Sequence, residues 1–241
     1  MKVFFAVVLT ILAGRADAAD ADALWKIVQN RCMPNQAQNA DPKPCAEVTA
    51  DVAVLKDLVG IAQYLLIPTA RIAGMEAAAV LAPETPNYFA AAWEARRFMD
   101  AKLGKALPRD AVSLAINSMS GRTQNQLHIH IDCIRPDVRA ALQAKAGEIT
   151  TVWTTQAMPG GLHRYQVRRV DDLVATSPFR LLAAEMPAAA SDFGHWTMIA
   201  VGARFPDGRD GFYLLARAAR PLLLDFGSGE ELQDHSCALA F

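Results

Sequence analysis

The stretch Asn117-Ser-Met-Ser-Gly121-Arg122-Thr123-Gln124-Asn125-Gln126-Leu127-His128-Ile129-His130-Ile131-Asp132-Cys133 decides how this chain folds and where its chemistry lies. Its first half is polar and contains glycine, which predicts a turn from Ser118 to Asn125. Its second half alternates. Strand side chains point to opposite faces in turn, so Leu127, Ile129 and Ile131 face a core while Gln126, His128, His130 and Asp132 face the other way. Two imidazoles about 7 Å apart on one strand face, after a turn offering backbone N–H groups and the charge of Arg122, form a candidate phosphate site. A neutral histidine there can act as a nucleophile. A plainer reading makes His128 and His130 solvent-facing residues of a half-buried strand. A third adds Asp132 and the distant His163 to make a metal site, on unspecific spacing.

Upstream, Leu24 to Arg31 has a helical apolar pattern. Val52 to Leu58 and Tyr64 to Ile67, around Gly60, predict a hairpin ending at Pro68. Thr85-Pro86 offers an N-cap and a first-turn proline, and Phe89, Trp93, Phe98 and Leu103 then predict one helix stopped by Gly104. Val112 to Asn117 and Leu127 to Ile134 read as two strands. This order describes an α+β fold, an antiparallel sheet with flanking helices. Downstream, His163 to Val170, Trp196 to Phe205 and Phe212 to Ala218 read as strands, with a turn at Pro206-Asp207-Gly208 and a short helix from Asp171 to Thr176. No linker separates this part, so it is expected to pack on the same core.

The 241 residues are 52% hydrophobic and 20% charged, which excludes a disordered or low-complexity chain. Lys plus Arg total 24 against 25 Asp plus Glu, so no overall positive field points to nucleic acid. Met1-Lys2, the uncharged run Val3 to Ala13 and the small residues Ala16-Asp17-Ala18 have the layout of a secretory signal peptide over residues 1–18. The run is too short for a typical span of about 20 residues; an uncleaved N-terminal anchor is the alternative. Four cysteines, Cys32, Cys45, Cys133 and Cys237, suggest disulfides in an exported protein. Three pairings are open. Cys32–Cys45 is favoured because the pair brackets a polar loop, MPNQAQNADPKP, which leaves Cys133–Cys237. No CxxC or paired Cys/His spacing points to zinc. His163, His195 and His235 stand alone and read as surface or core histidines, Arg96-Arg97 as a solvated helix face, and Lys56-Asp57 as a strand-end charge pair.

The histidine strand after its Gly-Arg-Thr-Gln-Asn turn resembles the histidine-triad superfamily of nucleotidyl hydrolases and transferases. Longer words carry a closer likeness: Cys32-Met-Pro-Asn-Gln with Pro44-Cys45-Ala-Glu-Val, Val54-Leu-Lys-Asp57-Leu, Gln63-Tyr-Leu-Leu-Ile-Pro68-Thr, Ala111-Val-Ser-Leu-Ala-Ile-Asn117-Ser, Cys133-Ile-Arg-Pro-Asp-Val-Arg139, Pro159-Gly-Gly161, and Gln233-Asp-His235 with Cys237. These are similar to the bacterial CDP-diacylglycerol pyrophosphatases, over almost everything after residue 18.

The resemblance implies a single domain over residues 19–241, with a histidine-triad-like core at about 45–150 and a C-terminal strand extension at 151–241. It implies a hydrolase that splits CDP-diacylglycerol into CMP and phosphatidate in phospholipid metabolism. Such an enzyme works at a membrane surface, on the periplasmic face of the inner membrane, without a metal or other cofactor. His128 matches the middle histidine, which attacks the α-phosphorus to give a nucleotidyl-histidine, and His130 matches the third. Gln126 occupies the first position, where the superfamily has histidine, and keeps an amide N–H donor. Arg122, Thr123, Gln124 and Asn125 would bind phosphate oxygens, with Asn117, Arg71 and Lys56 as further substrate-binding candidates. The rival readings are a hydrolase or transferase of another CDP-alcohol or dinucleotide, and a non-catalytic periplasmic nucleotide- or lipid-binding protein.

Overall fold

The computed structural model describes residues 20–159 and 163–241; the segment read as signal peptide or anchor lies outside them. The described residues form nine strands: β1 (Glu47–Val48), β2 (Val52–Lys56), β3 (Tyr64–Pro68), β4 (Val112–Ile116), β5 (Ile129–Cys133), β6 (Thr154–Ala157), β7 (Arg164–Val170), β8 (Trp196–Arg204) and β9 (Asp210–Ala218). They join in one sheet, ordered β1-β2-β3-β5-β4-β8-β9-β7-β6, with every pair antiparallel. The expected β2–β3 hairpin is present, with Val52 opposite Pro68 and Lys56 opposite Tyr64. β4 pairs with β8, so the sheet continues from the residues before 150 into those after it.

Both faces of the sheet are covered. On one, Leu66, Leu114, Ile129, Ile131, Met198 and Leu214 pack against Phe89 and Trp93 of α3 (Tyr88–Ala95). The other face carries two separate clusters, one around Leu24, Val28, Cys32 and Leu65, the other around Ile134, Val138, Leu142 and Ile199. Every residue of β4 and β5 is therefore buried. The half-buried strand with a solvent-facing histidine side is corrected accordingly.

The helices depart from expectation in several places. α1 (Ala23–Ile27) runs through a π-helical turn, Val28–Cys32, into α2 (Met33–Asn39), where an unstructured loop was expected. Pro34, in the first turn of α2, has no N–H to continue the ladder, and the π-helical turn just before it, with Met33 N donating to the Val28 carbonyl, is where the hydrogen-bond pattern shifts. Asn87, not Thr85, caps α3, its side chain accepting from Ala90 N. The single helix expected up to Gly104 is broken at Arg96 into α3 and α4 (Arg97–Leu103). The Trp93 carbonyl there accepts from both the Arg96 backbone N–H and its guanidinium, which interrupts the helical ladder. Gly104 ends α4 at φ 70°.

Residues 171–176 form no helix, because the Asp172 carboxylate caps Ala175 N in a local turn. Three short helices had no strong sequence signal: α5 (Pro136–Ala144), α6 (Pro178–Glu185) and α7 (Pro187–Ser191). Disulfides join Cys32 to Cys45 and Cys133 to Cys237, with Cα atoms 5.6 Å and 5.2 Å apart. No helix among the described residues is long and apolar enough to cross a membrane.

Candidate active site

Strand register brings the site together. His130 on β5 lies opposite Leu65 of β3 and Ala115 of β4. The helical cluster of Leu24 and Val28 covers the β3 side of this face, while the segment Gly229–Leu232 covers the β4 side, with Gly229 against Ala115 and Ile199. Where the two covers part, a cavity of about 610 Å³ remains, a size suited to a nucleotide-sized ligand. Its floor includes His128, His130 and Leu65, its walls Leu24, Ile27 and Arg31 on one side and Glu230 on the other.

The two imidazoles are close and tilted, with ring centroids 4.8 Å apart at 67°. Nδ1 of His128 lies 2.7 Å from the backbone carbonyl of Gln126. A carbonyl oxygen only accepts, so Nδ1 carries the hydrogen and Nε2 keeps its lone pair. Nε2 has no hydrogen-bond partner among the described residues. Nδ1 of His130 lies 2.7 Å from Nε2 of Gln63, and the same amide nitrogen lies 3.3 Å from the Glu230 carboxylate. The Glu230 carboxylate only accepts, so it is the nitrogen of the Gln63 amide that faces both groups; with that amide donating, His130 accepts at Nδ1 and carries its hydrogen on Nε2. That Nε2 is buried and unpartnered. One ring thus presents a lone pair and the other an unused N–H.

Burial lowers the proton affinity of both rings. For His128 the cause is desolvation, partly opposed by its bond to Gln126 and by Glu230 and Asp57. His130 is held well below the usual imidazole range by burial first, then by His128 and His235. The Glu230 carboxylate, 3.2 Å from His130 Nδ1, is itself held by Asn117 Nδ2 at 2.6 Å.

Asp132 is fully buried, hydrogen-bonded to His235 Nδ1 at 2.7 Å, and pushed up to about 6 by burial. His163 pairs instead with Glu231 and Asp225, so the metal set of Asp132 with His163 is not assembled. Among the described residues no group of three His, Cys, Asp or Glu side chains could hold a metal ion.

The remaining sequence candidates divide. Thr123, Gln124 and Lys56 line the cavity. The Lys56 ammonium donates to the carbonyls of Asp57 and Gly60, and Gln124 accepts from Leu24 N at the start of α1. Asn125 binds Ala21 through its backbone N–H, and Asn117 sits behind Glu230. Arg122, expected as a free charge, forms a two-pronged ion pair with Glu76. Arg71 pairs with Asp22 and stacks on Trp25, away from the cavity lining.

Both N–H bonds of the Gln126 amide go to the carbonyls of Pro68 and Ala70, and its oxygen accepts from Ile72 N. Neither N–H is free for a leaving group. In the Gly-containing turn the N–H groups of Ser118, Met119, Ser120, Gly121, Arg122 and Asn125 have protein partners, whereas those of Thr123 and Gln124, the two turn residues that line the cavity, have none among the described residues. Gly121 is required there, since a Cβ would meet the Phe226 carbonyl at 2.7 Å.

Sequence reasoning missed Glu230, Gln63 and Arg31. Arg31 lines the cavity without an ion pair or side-chain hydrogen bond among the described residues. Its neighbour Cys32 was the only local signal, since the disulfide fixes that turn. Gln63 and Glu230 are separated by 167 positions in the chain, and no local pattern joins them.

The fold and the cavity define a class, an antiparallel-sheet protein with a buried pair of neutral imidazoles at the base of a nucleotide-sized cavity. A model of the CDP-diacylglycerol pyrophosphatase family matches residues 19–241. The chain belongs to that family, and is a hydrolase of the pyrophosphate bond of CDP-diacylglycerol, yielding CMP and phosphatidate.

Proposed function

We propose that the cavity seats the CMP half of CDP-diacylglycerol and that His128 Nε2 attacks its α-phosphorus. The N–P bond forms as the bridging P–O bond breaks, and phosphatidate leaves with that oxygen. As a phosphate monoester it is a weak base and needs no strong general acid, in keeping with a Gln126 whose amide is occupied. Water then attacks phosphorus, the N–P pair returns to Nε2, a proton goes to solvent and CMP departs.

The observation that carries this reading is the setting of the two rings, His128 Nδ1 against a carbonyl that only accepts and His130 Nε2 buried without a partner, which assigns them complementary tautomers. His128 offers a lone pair where a nucleophile is needed, and His130 offers a buried, unused N–H where phosphate oxygens gather charge. Arg31 and Thr123 on the wall are the further phosphate contacts, and Glu230 acts through Gln63 to position His130. In this reading residues 19–241 are one hydrolase domain with a histidine-triad-like core, exported and working at the periplasmic face of a membrane; the two disulfides support export.

The test is to incubate the chain with substrate labelled in its CMP moiety and denature it in alkali. A protein-bound label that acid removes, and that the His128→Ala variant lacks, is the expected result. Turnover without any adduct, retained in His128→Ala, would overturn the mechanism. Absence of turnover on CDP-diacylglycerol, soluble CDP-alcohols and dinucleotides alike would favour the non-catalytic binding protein.

A further inference from the structure

We infer that the turn at residues 57–61, on the rim of the cavity, is a lip that enters the headgroup layer of a phospholipid bilayer. The inference rests on the seating of CMP proposed above and adds how the lipid half is met. The turn carries three aliphatic side chains in four residues, and all are exposed: Leu58 at 102%, Val59 at 53% and Ile61 at 44%. A hairpin turn facing only water is ordinarily built from Gly, Pro, Asn, Asp and Ser. Leu58 and Val59 also line the cavity, which ties the apolar tip to the catalytic floor.

The turn is braced. Lys56 Nζ donates to the carbonyls of Asp57 and Gly60 at 2.7 Å and 2.9 Å, Val59 N donates to the Asp57 carboxylate, and Ile61 N to the His235 carbonyl. Gly60, at φ 70°, makes the bend, and a Cβ there would crowd Gln63. The apolar tips are therefore held outward by a backbone that has met these hydrogen-bonding needs internally, the condition for entering a less polar phase.

The occupant follows from the substrate of the family. A cavity of about 610 Å³ accommodates a nucleotide-sized ligand, and the two acyl chains of a diacylglycerol need more room than that. They stay in the bilayer, and a rim lying on that bilayer brings the diphosphate to His128 without drawing the chains into water, a cost that grows with every CH₂ exposed.

The test compares two substrates in the full chain: CDP-diacylglycerol in phosphatidylcholine vesicles containing phosphatidylglycerol, and a water-soluble CDP-alcohol without acyl chains. Replacing Leu58 and Ile61 together by Asp should lower the ratio of vesicle turnover to soluble turnover by about tenfold or more, the factor carried by one partly buried leucine. An unchanged ratio would overturn the lip. A second measurement covers the case in which that variant fails to fold. The Leu58→Trp variant should gain a fluorescence signal that vesicles with brominated acyl chains quench; a signal that stays unquenched, or self-association through the turn seen as a concentration-dependent mass, would overturn the proposal. The quenching reads the lip independently of turnover, so loss of soluble hydrolysis in the unaltered chain would count against the seating of CMP alone.

Discussion

The Nδ1 atom of His128 is 2.7 Å from the carbonyl oxygen of Gln126, two residues earlier on the same chain segment. This short loop of backbone decides which nitrogen of the ring faces the cavity. The His128→Ala variant should lose turnover by about 10³-fold or more, as expected for removal of a nucleophile. The His128→Gly variant should regain part of it with added imidazole, which can occupy the vacated volume. Steady-state CMP release measures both, and a His128→Ala variant with a tenth of normal activity would refute the assignment.

His130 is expected to act by its Nε2 hydrogen. His130→Ala should reduce kcat by about 10²- to 10³-fold, the usual loss for one preorganised donor. Gln63→Leu keeps the ring but removes the amide that sets its tautomer. It should lower kcat by about tenfold, with little change in KM. A large rise in KM with kcat unaltered would mean that Gln63 touches substrate rather than the ring.

Acid should inhibit late. Attack needs a neutral His128, and burial holds its proton affinity below the ordinary 6.5. The acidic limb of kcat/KM should therefore fall below pH 6.5, and a limb above it would contradict the buried geometry. The same shift has a sign in stability. Below 6.5 the unfolded chain takes up protons that the folded imidazoles refuse, so their contribution to stability declines as pH falls. Asp132 acts oppositely. Raised from 3.8 to about 6, it binds more protons when folded across that window, so its contribution declines as pH rises through it. In Asp132→Asn that part of the pH dependence should vanish, as melting temperatures between pH 4 and 7 will show.

Gln126→Ala should damage the fold more than the chemistry. It leaves the carbonyl of Pro68 and the N–H of Ile72 without their partner in the interior, and the carbonyl of Ala70 without its partner nearer the surface. A loss of about 3 kcal/mol in unfolding free energy is expected, readable from denaturant midpoints. A stable Gln126→Ala protein with abolished kcat would restore a direct role in catalysis to this side chain.

Replacing Cys32 and Cys45 together by Ser should cost about 3 kcal/mol of stability in the chain-entropy account. The bond closes the segment from Cys32 to Cys45, a sequence separation of 13, and anchors the end of the helical run, α1 and its π-helical turn, that brings Leu24, Ile27 and Arg31 to the cavity wall. KM should rise more than kcat falls, and Arg31→Ala should reproduce much of that rise with the disulfide intact. An unchanged KM in both would remove Arg31 from substrate binding.

Much of this was readable along the chain. The alternation from Leu127 to Asp132 placed both histidines on one face of a strand, and the runs about Gly60 marked the β2–β3 hairpin, which the register confirms. The Cys32–Cys45 pairing expected from their bracketing of a polar segment is the one formed, although that segment is helical over Met33–Asn39. Local pattern failed where a side chain had two competing local partners, as at Trp93 and Arg96, where the guanidinium takes a carbonyl and divides the helix.

What the sequence by itself determined is the antiparallel scaffold and the pair of imidazoles, because strand alternation and turn chemistry act over a few residues. Only the tertiary structure decided what surrounds those rings. Glu76 neutralises Arg122 from 46 positions away, and Glu230 reaches the histidine face through Gln63 across 167 positions. Charge and hydrogen bonding depend on distance in space, and neither declines with separation along the chain. The burial that keeps His128 and His130 neutral is likewise made by segments from both ends of the molecule closing over one face of the sheet.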